Sequence, residues 1–177
     1  MDGFVANSGT AQAQTRAQER DMENTLYIDL EAGRVTIELR PDIAPNHVAR
    51  IKELTREGFY DGVVFHRVID GFMAQTGDPT GTGRGGSELP DLEAEFSDAK
   101  HGRGALSMAR AQSPNSANSQ FFIVFDDSSF LDGQYTVWGQ VTEGMDLVDG
   151  IKRGEGSSGA VTDPDKIIKM QVAADAK

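Results

Sequence analysis

Strand-length apolar runs separated by glycine and aspartate, with one long helical pattern among them, are the feature that most restricts how this chain can fold. Leu26, Ile28 and Leu30 alternate with Tyr27 and Asp29; after Glu31-Ala32-Gly33, Val35, Ile37 and Leu39 alternate with Thr36 and Glu38. A period of two sends successive side chains to opposite faces, so these runs predict a hairpin. Pro45, then His47, Val48, Ile51 and Leu54 at helical spacing, and Gly58 beyond them predict an amphipathic helix that covers a barrel end or a sheet face. Further short runs lie at Val63 to Ile69, Phe72 to Thr76, Ala105 to Met108, Phe121 to Val124, Tyr135 to Val141 and Ile167 to Val172, with a second short helix from Gly144 to Ile151. About eight strands without βαβ alternation argue against a parallel sheet and predict a mainly β fold, a closed eight-stranded antiparallel β-barrel capped by two α-helices.

A chain of 177 residues is expected to form one domain with a substantial core. Its net charge of -11 disfavours nucleic acid and anionic membrane as partners, because both repel an acidic surface. With no cysteine, disulfides and thiol catalysis are excluded. The three histidines, His47, His66 and His101, show no metal-ligand spacing. No metal is therefore expected. Residues 1–22 are polar, without the apolar core of a secretory signal, and read as a flexible tail; 23–174 form the domain and 175–177 a short C-terminal tail. No run has the length and apolarity of a membrane span, so the expected location is the cytoplasm and the expected state a monomer.

Periodicity also sorts the chemistry-bearing residues. Arg67 shares a face with Phe65 and Ile69, Met73 with Gln75, and Gln120 with Phe122, while Val64, Val68, Phe121 and Ile123 turn the other way to supply the core. If the three strands adjoin, Phe72, Met73 and Phe122 form a shallow apolar patch bordered by Arg67, Gln75 and Gln120. The alternative is that Arg67 pairs with a carboxylate and the aromatics fill a core.

The stretches FHRVIDGFMAQTGD (Phe65 to Asp78), GTGRGG (Gly81 to Gly86), SMARA (Ser107 to Ala111), SQFFI (Ser119 to Ile123) and FLDGQYTVWGQV (Phe130 to Val141) occur in an order and spacing that resemble the cyclophilin family of peptidyl-prolyl cis/trans isomerases. The resemblance runs from about Leu26 to Val172. It implies the capped barrel, no cofactor, and a groove on the outer surface that binds proline-containing peptides and the unfolded or folded client proteins that carry them. Arg67 matches the catalytic arginine, and Phe72, Met73, Phe122 and Leu131 match the walls of the proline pocket. Gln75 and Gln120 match residues that hydrogen-bond the peptide, and Ala109, Arg110 and Ala111 match the segment along which its backbone lies. Three groove positions depart from the best-known members: Arg110 stands where asparagine is usual, Phe130 where tryptophan is usual, and Tyr135 where histidine is usual. Losing the indole donor at Phe130 implies weakened cyclosporin binding, while the arginine and the pocket are intact. Two other functions fit the same fold, a non-catalytic scaffold for proline segments and a general folding chaperone.

The remaining motifs read as structure. GTGRGG has dinucleotide-loop glycines, but Glu88, Leu89 and Pro90 start no helix after it, so it is expected to be a tight loop, which in the family borders a second pocket of the groove. His66 is expected in the core with a satisfied hydrogen bond, His47 in a structural role on its helix, His101 in an exposed turn, and Trp138 in packing. The acidic run Glu88 to Glu95 reads as a solvated loop able to bias peptide choice toward basic flanks.

Overall fold

The alternation between Leu26 and Leu39 folds as predicted. In the computed structural model, which describes residues 3–176, strands β1 (Thr25–Leu30) and β2 (Gly33–Leu39) pair antiparallel, from Thr25 opposite Glu38 to Leu30 opposite Gly33. Leu26, Ile28, Val35 and Ile37 are fully buried on the inner face, while on the outer face Arg34 bridges to Asp29 at 2.8 Å and lies over the Tyr27 ring. Helix α2 (Pro45–Arg56) begins at its proline and buries His47, Val48, Ile51 and Leu54.

The other strands are β3 (Arg67–Ile69), β4 (Met73–Thr76), β5 (Ala105–Met108), β6 (Phe121–Val124), β7 (Val137–Glu143) and β8 (Lys169–Val172), with α3 (Met145–Asp149) after β7. All pair antiparallel in the order β3-β4-β6-β5-β7-β2-β1-β8. The curled sheet wraps one core, to which Val68, Leu106, Phe121, Ile123, Trp138 and Val172 contribute. Trp138 packs as expected, edge-on to Phe121 with ring centroids 5.3 Å apart. The alternate residues Met73, Ala105, Phe122 and Val124 face outward and, with Leu131, form a second, smaller apolar cluster.

The expectation of a fully closed barrel needs correction. β3 and β8 are edges, and the seam between them is bridged by irregular backbone: Phe65 N–H donates to Asp165 O, Ile167 N–H to Val63 O, and Gly62 N–H to Ile167 O. Val64 stands opposite Lys166 but Arg67 opposite Ala160, so the register slips between them, and the His66 carbonyl accepts from Val161 N–H. The strand expected from Val63 is therefore regular only from Arg67. For the same reason Phe65 does not share the face of Arg67: its ring is fully buried in the main core.

Of residues 1–22, read as a flexible tail, 1–2 lie outside the described residues and the rest belong to helix α1 (Gly3–Glu23). Its alanine, glutamine, arginine and glutamate residues are strong helix formers, which local propensity alone explains. It lacks an apolar stripe, residues 11–22 are almost all exposed, and Glu23 anchors its end by ion pairs to Lys52 at 2.6 Å and Arg56 at 2.8 Å. At the other terminus Asp175 bonds Arg56 at 2.9 Å, whereas Lys177 lies outside the described residues. No described helix is long and apolar enough to cross a membrane.

Candidate active site

The site grows from one row of residues across four strands. Arg67 on β3 stands opposite Gln75 on β4, Gln75 opposite Phe122 on β6, and Phe122 opposite Ser107 on β5. Directly opposed residues lie on the same face, so the register sets a guanidinium, an amide and an aromatic ring side by side on the outside of the sheet. The turn from β3 to β4 supplies the next wall, because Gly71 takes φ +73° and delivers Phe72 to the same surface. Leu131 comes from a single 3₁₀ turn after β6, and Tyr135 follows it.

These residues enclose a cavity of about 120 Å³ lined by Arg67, Phe72, Met73, Gln75, Ala109, Arg110, Phe122, Leu131 and Tyr135. That is far below the roughly 300–1,000 Å³ of a site that engulfs a small molecule, and it suits one side chain or ring. Its wall contains no carboxylate. Tyr135 meets Phe122 edge to face at 5.9 Å and supports Arg110, whose guanidinium lies 4.6 Å from the ring centroid.

A directional relay fixes the polar rim. Arg67 donates through Nε to Ser158 O at 3.0 Å and through Nη1 to Gln75 Oε1 at 3.1 Å. Gln75 Nε2 donates to Gln120 Oε1 at 2.9 Å, and Gln120 Nε2 donates to the carbonyls of Gly83 and Gly85. Arg67 is thereby oriented while its Nη2 hydrogens stay uncommitted, and no carboxylate neutralises it among the described residues.

Of the twelve residues singled out from the sequence, nine line this cavity. Ala111 and Gln120 line an adjoining one, and Phe130 is an exposed residue whose ring lies 5.4 Å from that of Phe72. The patch, not a carboxylate-paired core arginine, is what forms.

Sequence reasoning missed the support beneath the pocket. His101, expected in an exposed turn, is fully buried: its Nδ1 lies 3.0 Å from Asp132 Oδ1, its Nε2 2.9 Å from Ser107 Oγ, and its ring stacks against Phe122 with centroids 6.3 Å apart. Burial holds the imidazole below its usual pKa despite Asp132, and the Ser107 hydroxyl in turn donates to Thr136 O at 3.0 Å. The signal was absent because Asp132 lies 31 residues from His101 and the three groups share no period.

Asp78 was missed as well. Its carboxylate accepts from the Thr80 N–H and hydroxyl and from the N–H groups of Gly83 and Gly85. Burial would raise its pKa, but these donors outweigh it and hold the carboxyl well below the usual range. An aspartate two residues before a threonine in a glycine-rich stretch is an Asx-turn signal that could have found it. The loop contains no helix, as expected, and Gly81 and Gly83 adopt φ +71° and +89°. His66 does not meet its expectation: both ring nitrogens are buried without a hydrogen-bond partner among the described residues. His47 does, through a 2.6 Å contact of Nδ1 with Glu95.

A family model, cyclophilin type peptidyl-prolyl cis-trans isomerase, matches residues 25–172, the whole of the domain built around this row. The chain belongs to the cyclophilin family. It is 57% identical to a probable peptidyl-prolyl cis-trans isomerase of Brucella suis, an alignment covering 98% of this chain and 94% of the relative. It is 44% identical to peptidyl-prolyl cis-trans isomerase B of Bacillus subtilis, over 74% of this chain and 92% of that one. Among solved structures, a cyclophilin from Hirschia baltica superposes with a TM-score of 0.80 at 31% identity, covering 89% of this chain and 76% of the other. A Cryptosporidium parvum cyclophilin solved in the presence of the dipeptide Ala-Pro gives 0.78 at 30% identity, covering 84% and 98%.

Proposed function

We propose that this cyclophilin seats the proline of an Xaa-Pro segment in the 120 Å³ pocket and uses Arg67 as the donor that speeds rotation about the prolyl bond. The carrying observation is the juxtaposition of an uncommitted guanidinium with a ring-sized apolar cavity free of carboxylates.

Rotation about a peptide bond is opposed by a barrier of roughly 18–20 kcal/mol from amide resonance, and an Xaa-Pro bond takes tens to hundreds of seconds to interconvert. No covalent bond needs to break. Twisting the bond by about 90° uncouples the nitrogen lone pair from the carbonyl, so the nitrogen becomes a better hydrogen-bond acceptor than in the planar amide. A catalyst must favour that state over the planar one. The apolar walls Phe72, Met73, Phe122 and Leu131 grip the ring and exclude water, and Arg67, held by Ser158 and Gln75, presents a fixed donor beside it. A guanidinium suits this role because it is charged at working pH and carries several donors in a rigid plane. Neither nucleophile nor general base has a step to perform.

Proline-containing segments of folding clients are the proposed partners, bound by a monomer without nucleic acid or cofactor. Cyclosporin is proposed to bind weakly, because Phe130 offers no indole N–H. The test is Arg67→Ala in an NMR exchange assay on an Xaa-Pro peptide. Loss of one preorganised donor costs about 10²–10³ in rate, so turnover should fall by that factor with the fold intact. Near-normal turnover would remove Arg67 from the mechanism. Acceleration of a proline-limited refolding phase at substoichiometric protein separates catalysis from holding, which needs stoichiometric amounts.

A further inference from the structure

We propose that the groove selects peptides with an acidic side chain close to the proline, through Arg84 and Arg110 in a second cavity beside the proline pocket. The proposal rests on the isomerase reading and adds the chemistry of the flanking residue. This cavity has a volume of about 530 Å³ and lies between the 83–87 loop and the 109–111 segment. It shares Gln75, Ala109 and Arg110 with the proline pocket, so a chain extended at about 3.3–3.6 Å per residue reaches from one to the other within a few positions.

The charge of this groove opposes that of the molecule. The chain carries -11, yet its two adjoining cavities contain the three arginines Arg67, Arg84 and Arg110 and only one carboxylate, Asp91. Elsewhere Arg50 donates to the carbonyls of Asn118 and Pro90, while Arg34, Arg40, Arg56, Arg103 and Arg153 each hold a carboxylate within 3.0 Å. Among the described residues none of the three groove arginines does. Arg110 donates only to the carbonyls of Ala111, Gln112 and Gln134, which satisfy its hydrogens without neutralising its charge. Arg84 is exposed and its guanidinium makes no hydrogen bond among the described residues, so it can turn to an incoming carboxylate. Asp91 is engaged by the Asn118 amide at 3.1 Å.

The acidic run from Glu88 to Glu95, which alone suggested basic flanks, sends just this one carboxylate into the cavity. Glu95 is turned away to the N–H groups of Asn46 and His47. Charges farther apart than about 8 Å are largely screened at physiological salt, so the local guanidiniums rather than the overall charge set the preference.

The test follows isomerisation by the full chain of peptides that carry Glu, Gln or Lys at each flanking position in turn. At one or more positions the Glu peptide should exceed its Gln counterpart by about three- to tenfold in kcat/KM, chiefly through KM, with Lys below both. The gap should close near 1 M salt, where the screening length is about 3 Å. Arg84→Ala should narrow the Glu-to-Lys ratio, and Arg84→Glu should narrow it further or invert it. Equal turnover of Glu, Gln and Lys peptides at every position, or a preference untouched by either substitution, would overturn the proposal. Turnover of the Gln peptides separates the two levels: catalysis without preference sinks only the acidic selection, whereas no catalysis of any peptide sinks the isomerase reading beneath it.

Discussion

At the scale of single residues, Arg67 and Phe122 serve one pocket through opposite physical means, and the difference is measurable. Arg67 is a partly exposed side chain whose bonds to Ser158 and Gln75 aim it, so removing it should cost rate and little stability. Phe122 is 5% exposed, packed between the proline pocket and the buried ring of His101, and braced edge-on by Tyr135. Truncating a buried phenylalanine leaves a cavity and typically costs about 3–5 kcal/mol. Phe122→Ala should therefore raise KM and lower the urea midpoint together, while Arg67→Ala lowers kcat at a nearly unchanged midpoint. A Phe122→Ala protein with normal KM and reduced kcat would show that the ring does not hold substrate.

At the scale of elements, the loop from Asp78 to Gly86 connects fold to function. One carboxylate gathers the N–H groups of Thr80, Gly83 and Gly85, and the carbonyls of Gly83 and Gly85 then receive Gln120, the far end of the relay that starts at Arg67. Charge-assisted hydrogen bonds contribute roughly 1.5–3 kcal/mol each in favourable cases, so Asp78→Ala should release the loop. Faster hydrogen exchange at Gly83 and Gly85, together with a raised KM, is the expected result; unchanged exchange would mean that the glycine backbone holds its shape unaided. Helix α1 marks the opposite extreme, being almost all exposed along residues 11–22 and, among the described residues, tied by ion pairs at Glu23. Removal of residues 1–18 should shift the unfolding free energy by less than about 0.5 kcal/mol and leave turnover intact. What was legible in the sequence follows the same division. Elements with a clean period, such as β1, β2 and α2, appear where alternation or helical spacing put them, because one face had to be buried. The row Arg67, Gln75 and Phe122 was legible because strand parity fixes the face. Asp132 beneath His101, and the register slip between Val64–Lys166 and Arg67–Ala160, were not, since both depend on which distant segment arrives opposite.

At the scale of the whole molecule, the histidines predict how stability responds to acid. All three are held below the ordinary imidazole value, in each case first by burial, with Glu95 opposing at His47, Asp78 at His66 and Asp132 at His101. The folded state thus binds fewer protons than the unfolded chain once pH approaches the unfolded histidine pKa of about 6.5. Stability then rises with pH wherever the unfolded state is the more protonated, so this contribution is complete above about 6.5 and is lost as pH falls toward the folded values. Glu23, Asp42, Asp78, Glu95, Asp132 and Asp149 are all held below the ordinary carboxylate range, and their contribution disappears only on further acidification, below about pH 4.5. Between about pH 6.5 and 4.5 the histidines therefore act almost alone, each adding at most about 1.4 kcal/mol per pH unit to the slope. Urea midpoints measured from pH 7.5 down to 5 should be flat at first and then fall. In His101→Asn, whose amide can still donate to Asp132, that fall should be shallower. A midpoint constant across the whole range would mean that the buried imidazoles accept protons as readily in the folded protein as in the unfolded chain.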